Sequence, residues 1–439
     1  MDTTNITLTS EQQTAIDDFF TFLISDKKEF VITGSPGTGK TFLMGYLGNK
    51  GILDKYKKTC DLVGLKAKPY TVTFTATTNK AAAVLSDKLN KPAFTIHGLL
   101  GLRVVENWET GEVKLQRTTG NLVLSNHIIF IDECSMIDSE LYSYIKSLTD
   151  STCKIVYVGD KYQLAPVREK LSPVFTKGFH TVELTIPIRN SGQQALMDIC
   201  EQLKETVRTG VFKPIQTVPG VIDWYEPDEM REAVIDHFKV DSSDRRFLAY
   251  SNKMVIGYND FIIDSRHEDK FEVGNTYVLA TNLFIDSTKS SDKRQKSIPV
   301  EYEGTVESVE PEELLTCCGI SFWGQKLVVN FPIFGSFNVV VARDYNEILL
   351  YLKAFAKAKD WKKYFTLKET VVDLRPKDSS TVHKAQGSTY EEVFIDLSDI
   401  SRCNQPDMVA RLLYVAFSRA KNRVFLCGKL KDKYGGIIV

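Results

Sequence analysis

Eight consecutive residues carry the strongest chemical signal in the chain. Gly34-Ser35-Pro36-Gly37-Thr38-Gly39-Lys40-Thr41 satisfies the pattern G-x-x-x-x-G-K-[ST] in full. The run follows an apolar, strand-like stretch and precedes a helix-like one, which is the context the pattern requires. Glycines let backbone N–H groups turn towards phosphate oxygens, and the start of a helix adds partial positive charge. Lys40 would reach the β- and γ-phosphates of a nucleoside triphosphate, and the Thr41 hydroxyl would bind Mg²⁺. A chance Gly-rich turn would not match both the pattern and its two flanks.

Phosphate chemistry of this kind needs further carboxylates. His127-Ile-Ile-Phe-Ile131-Asp132-Glu133 is an apolar strand that ends in two acids. Asp132 would hold the metal, and Glu133 would orient and deprotonate an attacking water. Alone, acids at a strand end are common and solvated. After a complete phosphate loop they imply hydrolysis of a nucleoside triphosphate, with Mg²⁺ as the expected metal.

Three more side chains narrow the chemistry. Gln163 lies in Gly159-Asp160-Lys161-Tyr162-Gln163-Leu164-Ala165-Pro166-Val167, just past an apolar run, where it can sense whether the γ-phosphate is present. Arg419 ends the helix-like run Leu412-Leu-Tyr414-Val-Ala-Phe-Ser418-Arg419, and Arg189 follows Leu184-Thr-Ile-Pro187-Ile. An arginine that meets the γ-phosphate only when two domains close stabilises the transferring phosphoryl group and couples hydrolysis to movement.

These residues must be positioned by alternating elements. Strand-like segments at 29–33, 70–76, 127–131 and 154–158 alternate with amphipathic helical stretches at 41–47, 80–89 and 139–148, the order of a parallel sheet with crossover helices. The alternation resumes at 246–250 and from 371 to the end. Between them, 271–367 has short β-like runs at 276–280, 326–331 and 337–341, a charged loop at 287–296, and a Lys-rich helix expected at 347–363. Its Lys353, Lys357, Lys359, Lys362 and Lys363 read as a solvated face rather than a phosphate track.

Composition agrees with a folded, multidomain chain. There are 439 residues, 43% of them apolar, enough for two to four domains at about 100–200 residues each. The formal net charge of −1 argues against a protein that coats nucleic acid without specificity, although a local basic groove is compatible with it. The eight cysteines include no C-x-x-C clamp and read as reduced, mostly buried thiols. No apolar run is long enough for a membrane span, and the start of the chain, with Asp2, lacks a signal-peptide pattern, so a soluble cytoplasmic protein is expected.

Taken in order, the segments resemble a superfamily 1 helicase of the 5′–3′ branch, similar to the RecD-like and phage Dda-type enzymes. The resemblance rests on Leu8-Thr-Ser-Glu-Gln12-Gln-Thr-Ala15, the phosphate loop, Ala76-Thr77-Thr78-Asn79-Lys80-Ala-Ala82, Thr95-Ile-His97-Gly-Leu-Leu100, Asp132-Glu133 and the Gly159–Val167 segment. It continues through the Arg189 segment, Phe247-Leu-Ala-Tyr250-Ser-Asn252-Lys253, Ser380-Thr381-Val-His383-Lys384-Ala-Gln386-Gly387-Ser388-Thr389 and the Arg419 segment. The first strand-contact motif departs from the family's frequent Ala-Pro-Thr, and Pro187 sits two residues before Arg189.

The resemblance implies an α/β fold with two RecA-like, parallel-sheet P-loop-type domains. The first would span 1–185 and carry a β-hairpin pin at about 98–120. The second would span 186–270 and 368–439, interrupted at 271–367 by a small SH3-like β insertion. It further implies that Gln12 reads the adenine edge, that Gln386 and Gly387 line the cleft, and that Thr77, Thr78, His97, Asn252, Thr381 and His383 touch the strand. Glu-Thr-Gly-Glu within 102–116 marks the hairpin turn. Trp108 near its tip has two readings, stacking on the last base pair or packing on a neighbour.

The implied activity is ATP-driven translocation 5′ to 3′ on single-stranded DNA with duplex unwinding. Expected partners are single strands and forks, and replication or single-strand-binding proteins; a monomer is expected. Two alternatives stand beside it: an RNA helicase, and an ATP-dependent clamp or loader that does not unwind. A nuclease is disfavoured because no second carboxylate cluster remains once Asp132 and Glu133 are assigned.

Overall fold

The computed structural model describes every residue except 1–7, 107–112, 118–122, 168, 187–192, 241, 268, 286–295, 299, 333 and 439. Its first sheet has six parallel strands in the order Ala93–Thr95, Thr71–Ala76, His127–Asp132, Lys154–Gly159, Glu29–Gly34 and His180–Leu184. The central strands are apolar throughout because both faces are covered. Phe30, Ile32, Phe130, Val156 and Val158 face the helices Ser10–Ile24, Lys40–Leu47 and Asn79–Leu89, whereas Val31, Ile129, Ile131, Ile155 and Tyr157 face Ser139–Ser147. Alternate side chains of one strand thus enter two separate cores, as the period of a strand demands.

A second sheet repeats the plan with five parallel strands: Ile222–Tyr225, Ala420–Cys427, Tyr390–Asp396, Arg245–Ala249 and Ser379–Thr381. Leu248, Val393, Ile395, Val424 and Leu426 pack on the helices Gln194–Thr209 and Pro406–Phe417. Phe247, Phe394 and Phe425 pack on Pro227–His237 and Asn252–Arg266. Phe394 and Phe425 stack at 4.2 Å between ring centroids, locking adjacent strands in register.

Two β insertions interrupt these layers. The strands Leu102–Glu106 and Val113–Arg117 pair antiparallel, with Leu102 buried in the first domain's core and the Tyr144 hydroxyl donating to Leu115 O at 3.2 Å. The expected tip, with Trp108, lies outside the described residues. The second insertion is an antiparallel sheet built on the twelve-residue strand Ile320–Phe331, which pairs with Glu303–Val309, Glu313–Cys317 and Gly335–Ala342.

Two expectations change here. The antiparallel sheet closes on Leu374–Pro376, past residue 367, because Val372 and Leu374 are apolar and belong to its core. The Lys-rich stretch is two helices, Tyr345–Ala358 and Trp361–Thr370, not one. Lys359 adopts a left-handed conformation (φ 57°) that ends the first, and the Asp360 side chain accepts from Lys363 N at 3.2 Å to start the second. All five lysines of the cluster are exposed. The eight cysteines are free thiols, five of them buried.

Candidate functional site

The strand Glu29–Gly34 delivers the chain into the helix Lys40–Leu47 through a turn that only glycine allows at three points. Gly37 and Gly39 have φ of 86° and 84°, left-handed values that favour glycine. A Cβ on Gly34 would sit 2.5 Å from Leu184 O, in the neighbouring strand. Lys40 folds back over this loop, and its Nζ donates to Gly34 O at 2.6 Å and Ser35 O at 2.9 Å. Burial holds the Lys40 pKa below the ordinary lysine value, against the opposing pull of Asp160, Glu133 and Asp132. The ammonium is held where triphosphate oxygens would take over from the two carbonyls.

Asp132 ends the strand His127–Asp132, and Glu133 follows at φ 53°, a left-handed conformation that turns the chain into the short helical turn Cys134–Met136. Burial first, then the adjacent Glu133 charge, pushes the Asp132 pKa up to about 7. A carboxyl so placed gains from a hard cation. With the Thr41 hydroxyl it lines the same cavity, and the oxygen donors suit Mg²⁺.

That cavity, of about 620 Å³, is lined from both parallel sheets: Gln12, Lys40, Asp132, Glu133 and Gln163 from the first, Gly387 and Arg419 from the second. Gln12 also forms a capping box: its Oε1 accepts from Thr9 N at 3.1 Å and its N–H donates to Thr9 Oγ1 at 3.2 Å. Its buried Nε2 has no partner among the described residues. Gln163 is 4% exposed, with Oε1 likewise unpartnered.

The second domain closes the site. Gln386 Nε2 donates to Ser135 Oγ at 3.1 Å and approaches Glu133 Oε2 at 3.5 Å. Gly387, at φ 82°, lies so close that a Cβ would meet Glu133 Oε1 at 3.5 Å. Arg419 is 3% exposed, and its guanidinium donates to Val415 O at 3.1 Å, Ser388 O at 3.1 Å and Ser418 Oγ at 2.9 Å. Burial lowers its pKa, which Glu133, Tyr414, Tyr390 and Asp160 counter. Arg189 lies outside the described residues.

The expected strand-contact residues fall in two groups, each at the C-terminal ends of neighbouring strands. Thr77, Thr78 and His97 follow Thr71–Ala76 and Ala93–Thr95, while Asn252, Thr381 and His383 follow or end Arg245–Ala249 and Ser379–Thr381. Thr78 caps the helix Asn79–Leu89 by accepting from Ala81 N, burial lowers the His97 pKa, and His383 is exposed. Asn252 is exposed, and its Oδ1 accepts from Arg375 at 3.2 Å.

Two of the threonines are buried beside the backbone. Thr77 is buried and donates to Glu133 O at 3.3 Å; Thr381 is 6% exposed and its hydroxyl accepts from Lys384 N at 3.3 Å. Both hydroxyls hold the local backbone turn. Several residues of the site carried no role in the sequence reading. Asp160 and Tyr414 sat unremarked inside quoted motifs, and Arg411 and Ser135 lay just outside them. Only their spacing on one helix and one loop could have flagged them.

Fold and site together define a P-loop nucleoside triphosphatase with its site between two RecA-like domains. The family profile described as AAA domain matches residues 20–169, and that of the UvrD-like helicase C-terminal domain matches 378–427. The ATP-dependent DNA helicase dda of Enterobacteria phage T4 is 26% identical over 456 residues, covering 95% of this chain and 98% of that protein. The RecBCD enzyme subunit RecD of Buchnera aphidicola is 32% identical over 155 residues, 31% of this chain and 23% of its own. In fold, the crystal structure of a Bacteroides Pif1 helicase in complex with ADP-AlF3 and ssDNA superposes with a TM-score of 0.52 at 16% identity, covering 99% of this chain and 95% of that one. The chain is thus similar over nearly its whole length to a superfamily 1 helicase, with family-profile matches in both of its parallel-sheet domains. Among the described residues no helix is long and apolar enough to cross a membrane.

Proposed function

We propose that this chain is an ATP-dependent DNA helicase that advances 5′ to 3′ along single-stranded DNA and separates duplex at a fork. One observation carries the reading: Lys40 from one parallel sheet and Arg419 from the other line a single cavity. A nucleotide bound there touches both domains, so loss of its γ-phosphate changes how they hold each other.

Within this reading the loop 34–39 and Lys40 cradle the phosphates, and Gln12 donates to the adenine edge. Mg²⁺, held by Thr41 and Asp132, supplies charge neutralisation at the phosphates. Glu133 orients and deprotonates the attacking water, Gln163 senses the γ-phosphate, Gln386 and Gly387 line the cleft, and Arg419 with Arg189 stabilises the charge that develops. Thr77, Thr78, His97, Asn252, Thr381 and His383 grip the strand, and the hairpin at about 98–120 with Trp108 meets the fork.

The domain division that goes with it is 1–185 with a hairpin at about 98–120, then 186–270 with 377–439, and a β insertion at 271–376. The chain acts as a monomer inside the cell, with replication or single-strand-binding proteins as its protein partners. The test is strand displacement on forks carrying only a 5′ or only a 3′ single-stranded tail, with and without ATP. ATP-dependent displacement confined to 5′-tailed DNA is expected. Displacement of RNA alone would make it an RNA helicase, and DNA-stimulated hydrolysis with no displacement on any fork would make it a clamp.

A further inference from the structure

The loop that carries Gln163 belongs to the first sheet by chain order but is anchored in the second domain. It leaves the strand Lys154–Gly159, and its Leu164, 1% exposed, packs in the second domain's core with Leu196, Ile199 and Leu413. Two polar grips reinforce this, and both come from the helix Pro406–Phe417 that leads to Arg419. The Tyr414 hydroxyl donates to Asp160 Oδ2 at 2.7 Å, and both residues are 1% exposed. One turn earlier, Arg411 Nη1 donates to Lys161 O at 2.8 Å and Gln163 O at 2.5 Å.

The other side of the loop abuts the catalytic acids. A Cβ on Gly159 would come within 2.7 Å of Cys134 Sγ and 3.1 Å of Cys134 N, immediately after Glu133. Asp160 turns its second oxygen to accept from Tyr162 N at 2.9 Å, which fixes the turn leading to Gln163. The loop is therefore clamped between the Asp132-Glu133 turn and a helix of the opposite domain.

From this geometry we infer that Tyr414 and Arg411 are positioning residues that couple domain closure to the placement of Gln163. When the helix Pro406–Phe417 moves with its domain, it carries Arg419 at its end and drags the Gln163 loop through Asp160 and the two carbonyls. Arg419 and Gln163 therefore arrive at the γ-phosphate together. Arg411 acts through the loop; the Tyr414 hydroxyl also meets the Ser35 side chain of the phosphate loop, so its coupling to Gln163 is what separates the two routes. The inference rests on the helicase reading above, because it concerns hydrolysis that responds to a bound strand.

The test uses the full chain and poly(dT) as the strand. Tyr414→Phe keeps the ring in the core and removes only the hydroxyl. We expect it to lower the DNA-stimulated kcat by about ten-fold, the effect of losing roughly one well-made buried hydrogen bond, with KM for ATP within about two-fold. Arg411→Met should behave likewise, and Arg411→Lys, which keeps one donor and the charge, should recover part of the loss.

A role confined to packing would instead lower the melting temperature while leaving kcat of the folded protein unchanged, and that result overturns the inference. The decisive measurement is Tyr414→Phe in a Gln163→Ala background. If Tyr414 acts through Gln163, the second change adds little; additive losses overturn the inference as well. A wild-type protein whose hydrolysis ignores poly(dT) would instead remove the helicase reading itself, so the two failures are distinct.

Discussion

Replacing Arg419 with lysine isolates the part of the site that belongs to the second domain. The guanidinium serves three acceptors, Val415 O, Ser388 O and Ser418 Oγ, at 2.9–3.1 Å, and still lines the cavity that holds Lys40. Alanine would confound the result, since each buried acceptor left unmade costs about 1–3 kcal/mol and a void would open. Lysine keeps the charge and most of the volume but loses the planar fork that can hold its own backbone and meet a phosphoryl oxygen at once.

Removing a single preorganised donor from a developing charge costs roughly 10²–10³ in kcat, or about 2.7–4 kcal/mol at 1.36 kcal/mol per ten-fold. An arginine on a transferring phosphoryl group reaches 10³–10⁵, so about 10²–10³ is the conservative expectation for Arg419→Lys. The ground state is held mainly by the 34–39 loop and Lys40, so KM for ATP should stay within about three-fold. Phosphate release in single-turnover mixing with saturating single-stranded DNA reads kcat, and a melting curve verifies that the fold survives. A variant with unchanged kcat and a raised KM would refute the reasoning, because Arg419 would then bind ATP equally in ground and transition states.

Other expectations follow from the same geometry. Glu133→Gln should retain ATP binding and lose about 10²–10⁴ in turnover, measured by fluorescent-nucleotide titration beside phosphate release; full turnover would place the proton acceptor elsewhere. Gln12→Ala removes the buried, unpartnered Nε2 and should erode the preference for ATP over GTP, seen as converging kcat/KM values. It also breaks the capping box, so a loss of about 1 kcal/mol in stability should accompany it. Asp378→Ala leaves the Arg266 guanidinium, 4% exposed and paired at 2.6 Å, buried without its carboxylate. A destabilisation of about 3–5 kcal/mol in denaturant melts is expected, with ATP affinity unchanged in the folded protein because neither residue lines the cavity.

The phosphate site was legible because its determinants are local. Left-handed glycines at 37 and 39, an apolar strand before them and a lysine at the helix start are all neighbours in sequence. The two parallel sheets were legible through apolar runs whose alternate residues feed separate cores. The break between Tyr345–Ala358 and Trp361–Thr370 was also written locally, in Asp360 as a cap, but the lysine pattern runs across it and suggested one helix. The backbone hydrogen bonds of Thr77 and Thr381 were not readable, since a hydroxyl's local partner depends on the turn it folds into.

What the order of residues determined alone is the chemistry of each half: a phosphate cradle with paired acids in one, a helix ending in an arginine in the other. That the halves share one cavity was expected from the resemblance; only the folded chain decided that Leu164 leaves its own sheet for the other domain's core and that Tyr414 meets Asp160 across 254 positions of sequence. The reason is physical. Backbone conformation and burial period are set by near neighbours. A contact between residues far apart in the chain depends on how two finished cores dock, and no local pattern encodes that.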